Sequence, residues 1–249
     1  MDKNMKKVVC SFGDEPYYGS LKFLKSSCIK HGADEFFQYD QKWLMDTPFW
    51  KENLKILTQK RGAGYWIWKP YIILETFKNL DEGDIVLYSD AAIIVVNNLS
   101  PLWELADKNS IVTFRLGGGL YNDRTVKTWT KRDCLILLET DSENYHKETQ
   151  TTGSYSLWKK DQKSIDFLNE WQKYLKDSRI VTDAPNTLGK NLEGFIEHRH
   201  DQSVLSLLTI KKGFERWRDP SQFGNEEAHF FHNSSYPQIF NHHRMKLFG

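Results

Sequence analysis

Residues Ile85 to Tyr88 form an apolar run, and two positions beyond it stands a bare carboxylate, Asp90. A carboxylate just past a buried strand has two common uses: it holds a divalent cation that neutralises phosphates, or it caps the following turn. A second carboxylate, Asp201 of the Asp201-Gln202 pair, opens the segment DQSVLSLL, where an Asp ahead of a helix also serves as a cap. Cations able to meet the phosphates of a ligand are Lys69 in WIWKPY, Arg61 before it, and the basic residues of HFFHNSSYPQIFNHHR near the C-terminus. A neutral imidazole suits Mn2+, and a guanidinium matches phosphate oxygens. Neither GxGxxG nor GxxxxGK[ST] occurs, which excludes the glycine-rich phosphate cradles of dinucleotide enzymes and P-loop proteins. A bound nucleotide would have to rely on a carboxylate-metal arrangement and side-chain cations.

An alternation of strands and helices must position these groups. Lys7 to Phe12 is a short apolar run ending at Gly13, a first strand; Ser20 caps a helix carrying Leu21, Leu24 and Cys28, stopped at Gly32. Glu35 to Tyr39 reads as a second strand, and Thr47-Pro48 opens a helix through about Gln59. Pro70 opens another helix with Ile72, Ile73, Phe77 and Leu80, Asp81-Glu82-Gly83 turns the chain, and Ile85 to Tyr88 is the third strand. Ser100-Pro101 starts a short helix, and Ile111 to Phe114 is strand-like. This order predicts an α/β domain with a largely parallel sheet and helices on both faces. Ligands of such sheets bind outside the carboxyl ends of the strands, where Asp90 projects. The second half is less regular: a glycine-rich loop from Gly117 to Arg124, a helix from Lys131 to Glu139, a strand from Gly153 to Trp158, a helix from Ser164 to Lys176, and a helix from His200-Asp201 to Gly213.

Composition narrows the partners. With 34 Lys and Arg against 33 Asp and Glu, the chain is not built to neutralise a nucleic-acid backbone. The three cysteines are far apart and form no CxxC pair, so neither a zinc knuckle nor a disulfide framework is expected, and a reducing cytoplasm fits. No apolar run approaches a membrane span, and MDKNMKKVVCSFG lacks a signal-peptide core. Nine Trp, eleven Tyr and fifteen Phe are enough both to fill a core and to stack on bases or sugar faces.

The segments VVCSFG followed by Tyr17, Lys69-Pro70, IVLYSDA, TTGSYSLW and HRHDQSVLSLL together resemble nucleotide-sugar glycosyltransferases of the GT-A fold. They look most like bacterial and viral polysaccharide-modifying enzymes distantly similar to the glycogenin and lipooligosaccharide galactosyltransferase group, over nearly the whole chain. The resemblance implies a single Rossmann-like domain over residues 1–249, with 1–115 binding nucleotide and 116–249 binding sugar and acceptor. It implies transfer of a hexose from a nucleotide-diphosphate sugar, a UDP-sugar first among them, to a glycan or lipid-linked saccharide. In that group the strand ends in Asp-x-Asp, whose carboxylates hold Mn2+ or Mg2+ against the donor diphosphate; here Tyr88-Ser89-Asp90-Ala91-Ala92 retains one. The implied metal ligands are Asp90, His232 and His242. Implied donor contacts are Ser11, Phe12, Tyr17, Arg61, Lys69, Ser89, Asp90, Gly153, His200, His243 and Arg244. Asp201 and Gln202 would lie at the transferred sugar, Asp201 gripping its hydroxyls or, in an inverting reaction, acting as base. Trp129, Lys131 and Arg132 are acceptor-side candidates, with the Gly117–Arg124 loop closing over the site. Two alternatives remain: a nucleotidyltransferase making nucleotide sugars, although CSFGDEPYYGS lacks the basic residue its first loop needs, and a noncatalytic carbohydrate-binding protein. Peripheral membrane contact through the aromatic, basic C-terminus is a further expectation.

Overall fold

The computed structural model describes residues 5–118 and 123–243. Six strands form one sheet: β1 (Lys7–Phe12), β2 (Glu35–Tyr39), β3 (Ile85–Ser89), β5 (Ile111–Phe114), β6 (Tyr155–Lys159) and β7 (Arg216–Trp217), in the order β2-β1-β3-β6-β5-β7. β1 pairs in parallel with both β2 and β3. β6 lies antiparallel between β3 and β5, so β5 runs parallel to β3, and β7 in turn runs parallel to β5. β4 (Ile93–Val95) and β8 (Phe240–His242) form a separate antiparallel ribbon.

Strand periodicity divides the core in two. Val8, Cys10, Phe12, Val86, Tyr88 and Trp158 belong to the cluster under the helices Trp68–Phe77, Gln162–Leu175 and His200–Lys211. Val9, Ile85, Leu87, Val112, Phe114 and Leu157 belong to the cluster under Tyr18–Lys30 and Ser100–Asn109. Each buried Leu, Ile or Phe contributes about 1.5–3 kcal/mol over its exposed state, and Trp158, Phe167 and Trp171 pack ring to ring beneath the Gln162–Leu175 helix. That helix is capped by Asp161, which accepts from the Ser164 amide at 2.8 Å. Asp84 accepts from the amides of Lys6 and Asp81 at 2.8 and 2.9 Å and so fixes the entry to β3.

Several boundaries differ from the sequence pattern for local reasons. The helix expected from Thr47 to Gln59 is two short helices, Pro48–Glu52 and Leu54–Leu57, because the Asn53 side chain bonds back to the Phe49 carbonyl at 2.8 Å and its backbone leaves the helical region. The helix expected from Lys131 to Glu139 is confined to Arg132–Leu137, and the strand read from Gly153 runs Tyr155–Lys159. β4, β7 and β8 are too short to show a period. Among the described residues, no helix is long and apolar enough to cross a membrane.

Candidate active site

At the carboxyl edge of β3, Lys69 meets two acids. It is 3% exposed and lies in the first turn of the Trp68–Phe77 helix, over the same face of the sheet as Tyr88. Its Nζ is 2.8 Å from Asp201 Oδ2, 3.5 Å from Asp90 Oδ1, and donates to the Gly153 carbonyl at 2.8 Å. Tyr88 donates its hydroxyl to Asp90 Oδ1, and the ammonium stands 5.2 Å from the Tyr88 ring centroid. Burial works against charge on Lys69, but Asp201 and Asp90 outweigh it and hold the ammonium above its ordinary pKa. For Asp201 the balance is the other way: burial pushes its carboxyl up to about 6 although Lys69 opposes the rise. Gly153 lets the contact close tightly, since a Cβ there would stand 3.1 Å from Gln202 Cβ and 3.5 Å from Asp201 Oδ2. Gln202 accepts from the Gly153 amide at 3.3 Å and donates to Gln150 at 2.7 Å.

Two cavities meet here. The larger, about 630 Å³, is lined by Phe12, Asp14, Tyr17, Gln41, Lys60, Trp66 and Trp68, and reaches Asp90 and Ala92. The smaller, about 250 Å³, starts at the same Asp90 and Ala92 and is lined by Thr152, Ser154, Arg199, Gln202, Asp219 and His242. Part of the larger cavity's wall is an unusual turn. Gly62, Ala63, Gly64, Tyr65 and Trp66 have φ of 56°, 48°, 91°, 54° and 58°, and the Tyr65 and Trp66 amides bond to the carbonyls of Arg61 and Gly62 at 2.7 and 3.1 Å. This is one turn of left-handed helix, a conformation that costs a residue bearing a Cβ roughly 1–2 kcal/mol.

The expected site residues divide by position. Lys69, Asp90, Gly153, Asp201 and Gln202 come together; Phe12 and Tyr17 line the larger cavity, and His242 the smaller. His242 comes to the same cavity as Asp90 because β8 pairs with β4, setting Ile93 opposite His242 and joining the His243 amide to the Ala92 carbonyl at 3.3 Å. Ser11 and Ser89 are fully buried and line neither cavity, since strand alternation turns them to the other face of the sheet. Arg61 is exposed and paired with Glu197, while its neighbour Lys60 faces the cavity. His200 is 2% exposed and faces neither cavity. Arg244 lies outside the described residues, as do residues 119–122 of the glycine-rich loop.

The acceptor candidates line neither of these two cavities, and Lys131 lines a separate one beside Thr182 and His198. Lys131 is buried and donates to the Thr182 and Ala184 carbonyls at 3.2 and 2.5 Å; Arg132 pairs with Asp141 at 2.8 Å. Trp129 is buried beneath Arg199, whose guanidinium sits 4.4 Å from its ring centroid and is itself the group on the cavity wall. Arg199, Trp66 and Asp14 stand inside the segments HRHDQSVLSLL, WIWKPY and CSFGDEPYYGS, which do not single them out, and Asp219 lies in no motif. Asp219 accepts from the Tyr155 hydroxyl, deep under the smaller cavity.

The three implied metal ligands are not brought together. His232 lines a separate pocket with Arg115 and Phe231, Ala92 supplies no ligand, and one oxygen of Asp90 already faces the Tyr88 hydroxyl and the Lys69 ammonium. Among the described residues, no group of three or more His, Cys, Asp or Glu side chains could hold a metal ion. Of the implied ligands, Asp90 and His242 line the smaller cavity together and His232 does not.

No protein-family model matches the sequence, and no curated protein matches it either. Solved structures do match. The chain superposes on the apo form of mouse xyloside xylosyltransferase 1 with a TM-score of 0.52 at 11% identity, covering 96% of this chain and 97% of that one. It superposes on a glycosyltransferase involved in the glycosylation of the major capsid of PBCV-1 with a TM-score of 0.50 at 14% identity, covering 96% and 94%. Identities this low speak to architecture. With its mainly parallel six-stranded sheet, helices on both faces and cavities at the carboxyl edge, the chain has the α/β fold of the GT-A glycosyltransferases.

Proposed function

We propose that the protein is a glycosyltransferase that moves a hexose from a nucleotide-diphosphate sugar, most simply a UDP-sugar, to a saccharide acceptor. The observation that carries this is the meeting of two cavities at Asp90 and Ala92, beside the buried Lys69–Asp201 pair. The larger cavity offers what a nucleotide needs: aromatic side chains for a base and polar groups in Asp14, Gln41 and Lys60 for base, ribose and phosphate. The smaller, polar cavity suits a saccharide, with Thr152, Ser154, Arg199 and Gln202 as hydroxyl partners. The bond to be broken would then lie at the junction.

Glycosyl transfer builds positive charge at the anomeric carbon and negative charge on the leaving diphosphate. Asp90 and Asp201 supply negative charge at the junction, and Lys69 holds them apart in a fixed arrangement. Gln202, anchored at both ends of its amide, is pre-organised to meet a sugar hydroxyl without reorganising. The cations on the cavity walls are Lys60 and Arg199, one in each cavity.

The test is thermal stability of wild type and Asp90→Asn with UDP, GDP and CMP, each with Mn2+ and with EDTA. One nucleotide is expected to raise the melting temperature of wild type, with a smaller rise in Asp90→Asn, and the matching nucleotide sugars should then release nucleoside diphosphate on incubation. A wild-type protein indifferent to every nucleotide under both conditions overturns the proposal.

A further inference from the structure

Asp201 follows directly on a residue in an unfavourable backbone conformation. His200 has a φ of 51°, in the left-handed region that residues other than Gly, Asn and Asp avoid. Its buried ring donates from Nδ1 to the Val181 carbonyl at 2.8 Å. One face stacks on Trp66, with centroids 5.6 Å apart and an interplanar angle of 29°, and the Tyr65 ring lies tilted at 4.9 Å. Trp66 in turn packs onto Gly62, where an added Cβ would fall within its indole ring. A stack of Gly62, Trp66 and His200 thus joins two unfavourable segments, the left-handed turn and the His200 backbone. The first leads into Lys69, three residues on, and the second into Asp201, the next residue. Strain persists only where its surroundings over-determine it, and it gathers where geometry must be held.

We propose that His200 is a positioning residue: its ring, held between Trp66 and the Val181 carbonyl, sets the orientation in which Asp201 meets Lys69. The functional importance of that pair rests on the glycosyltransferase reading; the positioning itself does not. His200 is not an acid or base for the substrate. It faces neither cavity, and burial keeps its imidazole below the ordinary pKa against the carboxylates of Asp183, at 3.8 Å, and Glu197 and beside the cation Arg61. His198, 5.0 Å away, is likewise held neutral by burial.

A merely structural histidine would affect stability alone. The discriminating measurement is the titration of the Asp201 carboxyl, followed by 13C NMR in wild type, His200→Gly, His200→Asn and Trp66→Leu, with UDP binding measured by calorimetry on the same samples. Gly and Asn both accept a left-handed backbone, so these two variants keep the chain path and remove only the ring. The expected result is a midpoint raised about tenfold in proton affinity, one pH unit, in all three variants, because a misoriented carboxyl loses the Lys69 ammonium that holds its pKa down. His200→Gly should melt no lower than His200→Ala. A midpoint unchanged from wild type in the folded variants overturns the proposal. Failure of the two proposals is distinguishable: Asp201 moving as expected in a protein that binds no nucleotide removes the transferase reading and leaves this one, and the converse holds.

Discussion

Lys69 stands between Asp201 and Asp90 with 3% of its surface exposed, so its removal strands two carboxylates around a hole. Breaking a buried pair from one side costs about 3–5 kcal/mol, and Lys69→Met should show a loss of that order in urea unfolding at pH 8. The loss should shrink at pH 5. Asp201 has a folded pKa of about 6 against an ordinary 3.8, so the folded protein binds its proton more tightly; the resulting stability is complete below about pH 4 and disappears as pH rises through 6. Lys69, raised above 10.5, keeps its own contribution through neutral pH and loses it only in alkali. Wild type should therefore lose up to about 3 kcal/mol from this carboxyl between pH 4 and pH 7, and Asp201→Asn should flatten that slope. A second residue-scale prediction concerns Ala92, which lies on both cavities two residues from Asp90. Stabilisation of wild type by UDP should be the same in EDTA and in Mn2+, whereas Ala92→Asp, by creating a carboxylate pair, should make it respond to Mn2+. A wild type that needs Mn2+ would show that one carboxylate and the diphosphate suffice as ligands.

At the scale of elements, the left-handed turn and the Gly153 contact should behave differently when crowded. Gly62 has a φ of 56° and Trp66 packed against it, so Gly62→Ala meets both strain and a clash, and should cost about 1–3 kcal/mol by thermal unfolding. Gly153 has neither a positive φ nor a severe clash; its added methyl would press on Gln202 and Asp201. Gly153→Ala should leave the melting temperature within about 2 °C of wild type, under 1 kcal/mol, while slowing release of nucleoside diphosphate at least about tenfold, as misplacement at a reacting centre does. Equal losses in stability and turnover would assign Gly153 to packing alone. The strands and helices that carry these residues were largely legible: β1, β2 and β3 begin where the apolar runs begin, and the Gln162–Leu175 helix follows from its buried stripe. The left-handed turn was not legible, because GAGYW contains only two glycines and its tyrosine and tryptophan adopt positive φ through tertiary contacts.

For the whole molecule, the decisive feature is that two cavities share a boundary at Asp90, Ala92 and the end of β3. A bulky side chain at that boundary should obstruct both. Ala92 is partly exposed, so Ala92→Trp should fold with a melting temperature close to wild type while losing stabilisation by UDP; retained nucleotide binding would place the nucleotide away from the junction. The antiparallel ribbon of β4 and β8 is what closes the smaller cavity, since it carries His242 from the far end of the chain to Asp90.

The sequence by itself determined the order of strands and helices, the α/β class, the carboxylate at the end of β3 and Lys69 and Asp201-Gln202 as separate candidates. Those follow from local periodicity, caps and short motifs, which one segment can express alone. Only the tertiary structure decided which face each candidate took and which residues met. Ser11 and Ser89 went to the far face by strand parity, Lys131 and Arg132 were consumed in holding the chain, and His232 fell in another pocket. Arg199 and Trp66, from within HRHDQSVLSLL and WIWKPY, and Asp219, from a segment with no motif, entered as cavity walls. The physical reason is that a cavity is lined by whatever long-range packing leaves beside it. Nothing in a single segment encodes its neighbour across the fold.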